Sequence, residues 1–381
     1  MSGQSGTAGP ISQAVLRGRC VFLDGLRGWG AVVVLVYHYL VQVFPPNQEA
    51  ASILSRVIFL NGNMAVWVFF VVSGFSLSIR YIRRRDGRAL TRLAIGRYPR
   101  LAIPILAACC VVHLMMVSGL IYPASQRIEI LRPLLAFEPT VSHLFRFSLF
   151  DVFFDHRLLD SYIPPLWTMS IELIGSAAVI ALLAIFGRVK WRLWVYTPVM
   201  LVLMAFDSFY ALFVAGVLLA ELYASGVAAP RWFRGLLAAC WCGGLLVPVL
   251  SNSVNPLGLL GIAAWCAAWI FLLPLRQLLE MPVSRWLGRI SFPLYLMHAP
   301  VLYSFSLHLL RQVNGFGVSP AFANLIVVAM SLPVAILAAW LFTPVNDFAT
   351  RFSRWLGNLV VDGWDSVYRQ QKLKRLRPSF D

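Results

Sequence analysis

From residue 21 to residue 344 the chain is a near-continuous succession of apolar runs, each close to the ~20 residues a helix needs to cross a bilayer. Ten runs can be separated: 21–44, 57–81, 98–121, 164–186, 191–206, 208–224, 233–250, 256–274, 289–310 and 320–344. In hydrocarbon the backbone N–H and C=O groups of a spanning run this long are satisfied within the run itself, which makes it a helix. The expected fold class is all-α: a polytopic, integral-membrane helical bundle of about ten transmembrane helices. Composition agrees. Only 13% of residues are charged, about half the share usual in a soluble domain.

Charge orients the bundle. With the N-terminus cytoplasmic, the inner segments hold Arg17, Arg19, the cluster from Arg80 to Arg100, Arg188, Lys190, Arg192, Arg231, Arg234, Arg276, Arg285, Arg289 and the basic tail. The outer segments hold only Arg56, Arg127, Arg132, Arg146, Arg157 and Arg311. Positive residues gather on the cytoplasmic side of membrane proteins, so the reading places both termini inside. It also accounts for the net charge of +16 without nucleic acid, for which a compact basic domain would be expected. Before residue 20 the chain is Gly/Ser-rich, with no signal-peptide cleavage site. Residues 1–20 are expected to be a flexible cytoplasmic N-terminus, and the first span an uncleaved anchor.

Several ionisable side chains fall inside these runs, where each costs about 3 kcal/mol on insertion scales and marks a bundle interior or a water-filled route. The first span, FLDGLRGWGAVVVLVYHY, carries Asp24, Arg27 and His38. Eleven helical steps bring His38 to within roughly 20° of Arg27, about 16 Å further along, and Asp24 lies one turn before Arg27. Together they form a polar stripe from the start of the helix deep into it. The bland alternative is a buried His and an Arg snorkelling to the headgroups.

In the second span, VVSGFSLSI, Ser73-Gly74 reads first as a packing site, the Ser bonded to its own backbone. RYPRLAIP sets Arg97 and Arg100 on either side of Pro99 where the third span begins, a fork suited to phosphate. In IPPLWTMSIEL, Glu172 lies about two turns into the fourth span. Helical rise places it and His38 in the same outer half of the bilayer, which allows a His–carboxylate pair; a helix–helix clasp is the alternative. Glu221 is free to meet an Arg at the inner end of the sixth span. GRISFPLYLMHAP puts His298 mid-membrane, as a pocket-lining or a packing residue. The outer loop from Tyr122 to Ile163 holds His143, Asp151, Asp155, His156 and Asp160 in no metal spacing, so no metal is expected. The loop reads as a surface facing a polar acceptor. The six Cys read as small buried hydrophobes.

These motifs, in this order, resemble the membrane-bound acyltransferase-3 family. The likeness rests on Arg27 and His38 separated by ten residues, on SGF, on the Arg–Pro segment, on Trp167, Ser170 and Glu172, and on His298 in a late Ser–Tyr–Leu–His–Pro motif where Phe292 replaces the common Tyr. It covers roughly residues 20–345. It implies an O-acyltransferase that moves an acyl group, most often acetyl, from cytosolic acyl-CoA to a hydroxyl of a cell-surface or lipid-linked carbohydrate, in a bacterial inner membrane. On that footing His38, Arg27 and Glu172 are the expected catalytic residues, and Arg97, Arg100 and Ser73 hold acyl-CoA. Asp24, Trp167 and His298 line the acceptor's route. A transporter or flippase of a lipid-linked or anionic metabolite uses the same stripe as a pathway and is the competing class. The expected layout is an acyltransferase-3-like transmembrane domain at 21–345 and an amphipathic basic tail at 346–381, drawn to membrane lipid.

Overall fold

A computed structural model describes residues 20–226, 230–245 and 255–375, with side chains given as far as residue 363. The expected flexible N-terminus at 1–20 lies almost wholly outside these residues. Among the described residues every regular element is a helix.

The principal helices are α1 (Val21–Val36), α2 (Gly62–Arg84), α3 (Gly87–Val117), α4 (Val141–Arg146), α5 (Thr168–Phe186), α6 (Leu193–Ala205), α7 (Tyr210–Ala224), α8 (Arg231–Gly244), α9 (Pro256–Phe271), α10 (Leu273–Leu279), α11 (Pro282–Val301), α12 (Leu307–Gly315) and α13 (Pro320–Arg375). Wider π-helical turns extend α1 over Tyr37–Val43, extend α4 over Phe147–Asp151, and join α11 to α12. Side-chain caps set several starts. The Asn61 side chain accepts from the Met64 N–H, Asp86 from Arg88 and Asn255 from Gly258, each quenching a donor that a first turn leaves open.

Six stretches are long and apolar enough to cross a bilayer: Val21–Val43, Gly62–Arg84, Gly87–Val117, Pro164–Phe186, Pro282–Gly315 and Pro320–Gly363. Helices α9 and α10, bent by 85° to one another, make a seventh if counted as one span. Helices α6 and α7 are apolar but shorter. Helical residues occupy every one of the ten expected ranges, and length and composition make six or seven of them candidate spans.

Three expectations change. Helix α3 starts at Gly87, eleven residues before the expected 98, so Arg97 and Arg100 lie inside it rather than at its mouth. Pro344 does not end the last helix: α13 runs on to Arg375. A membrane helix tolerates an internal Pro, and Thr343, the residue before this one, donates its hydroxyl to the Ala339 carbonyl at 3.1 Å. The tail set apart at 346–381 is therefore, through residue 375, the continuation of α13.

The third change concerns the loop from Tyr122 to Ile163, which does not simply lie off the end of α3. Its α4 segment folds back alongside that helix. Near one end His143 packs on Tyr162, whose hydroxyl meets His113 Nδ1 at 3.1 Å. Near the other the Tyr98 hydroxyl donates to the Leu149 carbonyl at 2.6 Å, and Phe153 packs on its ring. Fifteen residues of α3, about 22 Å, separate those two anchors. Phe145, Phe150 and Phe154 point outward, each about half exposed. Buried Arg127 holds the loop's first turn by donating to the carbonyls of Tyr122, Leu134 and Leu135. Asp151 pairs with Arg146 and Asp155 with Arg157. Burial lowers the basicity of the His156 imidazole and pushes the Tyr162 phenol well above its usual range.

Helix α1 lies between α2 and α11, α7 crosses α2, and α13 packs on α3 and α11. The crossings are close because glycines meet backbone. A Cβ on Gly74 would strike the Phe213 carbonyl, and one on Gly216 the Val71 carbonyl. Gly28 and Gly288 bring α1 and α11 together in the same way. The packing reading of Gly74 holds. Glu221 meets its Arg: Arg192 donates to both carboxylate oxygens at 2.6 and 2.8 Å, and Arg85 stands 3.7 Å away.

Candidate active site

The polar side chains buried in the bundle separate into two levels. The first crosses four helices. Arg27 on α1 donates to the Ser76 hydroxyl on α2 at 2.9 Å. One turn along α2, Ser73 donates to Glu172 Oε1 at 2.7 Å. The same carboxylate forms an ion pair with Arg97 of α3, and both partners are at most 14% exposed. Arg97 Nε also donates to the Ser176 hydroxyl at 2.9 Å. Burying a carboxylate is costly without a charge partner and hydrogen bonds, and Arg97 and Ser73 supply them.

Arg100, one turn from Arg97, donates to the Thr350 hydroxyl of α13 at 2.8 Å. Its charged neighbours are Arg97, Arg27, Arg354 and Asp24. Asp24 is held beside Gly288 of α11. Arginines from α1, α3 and α13 thus gather at one end of the bundle, around Asp24.

The second level holds two histidines. The His38 and His298 rings stack with centroids 5.1 Å apart and planes 17° from parallel. His38 Nδ1 stands 2.5 Å from Gln42 Oε1. Gln42 lies one π turn on, a kind of local widening common at functional sites. The amide oxygen accepts the Nδ1 proton, which leaves the lone pair on His38 Nε2. His298 is 1% exposed. Its Nδ1 donates to the Leu294 carbonyl at 3.1 Å, and its buried Nε2 has no partner among the described residues. Its neighbours are fixed as well. The Tyr39 hydroxyl donates to the His298 carbonyl at 2.7 Å. Tyr295, 6.0 Å from His298 between ring centroids, donates to the Pro165 carbonyl and accepts from Thr168 at 2.7 Å.

The two levels are distinct but linked through α5, where Thr168, one turn before Glu172, bonds Tyr295 beside His298. Gly62 of α2 lies under the Tyr37 ring, beside His38, and Ser73 is eleven residues further along α2, about 16 Å. The allowed His38–Glu172 pair is therefore not formed: Glu172 sits at the arginine level, clasped to Arg97. Ser73 bonds Glu172 rather than its own backbone. Arg27 and Asp24 share the arginine level too, so the stripe's two ends do different things. Trp167 packs half-buried against Phe209 at 6.1 Å. No group of three His, Cys, Asp or Glu side chains among the described residues can hold a metal ion.

Sequence reasoning missed Gln42, Tyr39, Tyr295, Thr168 and Thr350. A readable signal existed for Gln42, an amide four residues after a candidate base on the same helix. The others depend on how separate helices rotate against each other.

Against known proteins, the family model of the acyltransferase-3 domain, described as an acyltransferase domain, matches residues 21–343. An O-acetyltransferase of Phomopsis amygdali, PaAT-1, is 33% identical over a stretch that amounts to 22% of this chain and 20% of that protein. The chain thus matches about a fifth of that relative's length. No solved structure matches. With most of its length under one family model, the chain belongs to the acyltransferase-3 family, and its apolar, membrane-length helices mark it as a multi-pass membrane protein.

Proposed function

We propose that the protein is an O-acyltransferase that moves an acyl group, acetyl in the simplest case, from cytosolic acyl-CoA to a hydroxyl of a carbohydrate or lipid-linked glycan. The ten helical ranges are ten spans, with both termini on the cytoplasmic side of a bacterial inner membrane, as the distribution of Arg and Lys favours. The observation that carries the reading is the stacked His38–His298 pair, set about 16 Å along α1 from the arginine level. The CoA phosphates lie at Arg27, Arg97 and Arg100, and the pantetheine arm runs along the α1 stripe to bring the thioester to His38.

Transfer then needs a base for the incoming hydroxyl. His38 Nε2, with Nδ1 held by Gln42, takes the hydroxyl proton. The oxygen attacks the thioester carbonyl, the C–S bond breaks, and the imidazolium returns the proton to the departing thiolate. The products are the O-acyl ester and CoA. His298 Nε2 accepts a neighbouring hydroxyl of the acceptor, and Trp167 lines its approach. Glu172 acts through Arg97, as a positioning residue. Arg27 lies too far from His38 to touch the same carbonyl, which favours a phosphate role for it.

The test is transfer by purified protein in nanodiscs, supplied with radiolabelled acetyl-CoA and lipid extract. Wild type should release free CoA and label a glycan or lipid, and folded H38A should do neither. Absence of CoA release by wild type with several acyl donors, together with flux of an intact metabolite in vesicles, would put the transporter reading in its place.

A further inference from the structure

The far half of α13 is zipped, antiparallel, onto the arginine-bearing half of α3. A Cβ on Gly96 would stand 2.9 Å from the Ser353 carbonyl oxygen, and one on Gly357 would stand 2.8 Å from that of Arg92. Arg100 bonds Thr350 one turn to one side of these contacts, and Arg92 pairs with Asp362 at 3.1 Å on the other. Backbone contacts at successive turns make this a fixed interface rather than a tail resting on the membrane surface. The interface carries a fourth arginine to the cluster. Arg354 is one turn from Thr350 and about 40° from it around the helix, and it is a charged neighbour of Arg100. The exposed apolar stripe of the same segment, marked by Phe348, Trp355 and Leu359, lies about 100° or more away from Arg354. Four arginines (Arg27, Arg97, Arg100 and Arg354) converge there on two carboxylates, Asp24 and Glu172. That excess of positive charge is suited to a polyanion.

We infer that α13 forms one wall of the donor site and that Arg354 binds a phosphate of the nucleotide end of CoA. The assignment rests on the acyl-CoA reading given above. CoA carries a diphosphate and a ribose phosphomonoester, which is more anionic charge than Arg27, Arg97 and Arg100 meet with Asp24 and Glu172 among them. Thr350 orients Arg100 for the same ligand.

The experiment is calorimetric titration of CoA into the full-length, detergent-purified protein. R354Q should weaken binding about tenfold and T350V several-fold. R351Q, whose Nε donates to the Asp347 carbonyl of its own helix at 3.4 Å, should bind as wild type. A folded R354Q that binds CoA as tightly as wild type overturns the inference, and equal small losses in R354Q and R351Q assign both arginines to lipid headgroups instead. A wild type that does not bind CoA overturns the donor reading itself, a different and separately visible failure. Photolabelling of the wild type with an azido-adenine CoA covers the case in which R354Q does not fold. Label should appear in the peptide spanning Thr350–Gly357, and label confined to other segments overturns the assignment.

Discussion

The imidazoles of His38 and His298 lie face to face, 5.1 Å apart, although 259 residues separate the helical turns that carry them. Both Nδ1 atoms are bonded to neighbouring oxygens, so both rings offer Nε2. If His38 is the base and His298 holds the acceptor, H38A should lower kcat by about 10²–10⁴. H298A should chiefly raise KM for the acceptor. The double variant should be little worse than H38A, because residues that act as a unit are not additive. Steady-state kinetics on the three variants checks this, and equal kcat losses with full additivity would count against the division of labour.

Glu172 offers a sharper contrast. E172Q strands Arg97 in a buried layer, a change that costs about 3–5 kcal/mol when one partner of such a pair is lost. The expected outcome is a large fall in Tm in detergent, with much of it recovered in E172Q/R97Q. The pH profile of any residual kcat should not move, since Glu172 does not touch His38. A shifted profile would restore the His–carboxylate pair.

Helix α2 cannot accept a side chain where it crosses α7. G74V drives a branched Cβ into the Phe213 backbone. Overpacking of this kind costs about 1–3 kcal/mol, and thermal unfolding and size-exclusion profiles should show it. G119A, at a glycine with nothing within 4 Å, should show far less, apart from the strain of its φ of +73°.

Arg127 ties three carbonyls of the outer loop. R127Q leaves them short of donors at a buried site, at about 1–3 kcal/mol for each group left unsatisfied. Cleavage between residues 122 and 140 by added protease should rise several-fold while the helical bundle stays intact. Unchanged cleavage would mean that the aromatic cluster around Tyr162 holds the loop alone.

The fold-back segment should be acid-sensitive. Burial holds the His156 imidazole below its ordinary value, so the folded loop binds fewer protons than the unfolded one. Its contribution to stability is complete above about 6.5, the ordinary value, and is lost as pH falls through the folded one. Amide-exchange protection factors for residues 141–162 should drop between pH 8 and pH 5 in wild type, and not in H156F.

The sequence carried the helical character of the chain and the polar stripe legibly. Runs of near-membrane length leave little choice of backbone, and the Arg27–His38 spacing lies within one helix, where geometry is fixed by counting. The pairing of Glu221 with an Arg was readable for a similar reason, because its inner end could meet only basic loops. Partner choice across helices was not. Whether Glu172 meets His38 or Arg97 depends on the rotation and depth of four helices, and an apolar sequence face says little about either. The return of α4 along α3 was hidden by its length: fourteen residues from Val141 to Phe154 are too few to read as a span and too apolar on one side to be a plain loop. Pro344 misled because proline does break helices in water, whereas long membrane helices tolerate it.

The regular α-helical stretch from Arg27 to Val36, followed at once by the π turn, acts as a ruler. Each residue adds about 1.5 Å, so the distance between the group that would grip the donor's handle and the group that would act on its cargo is written as a residue count. The same ruler penalises a donor of the wrong reach: a thioester on a shorter arm, however well gripped, stops short of the imidazole.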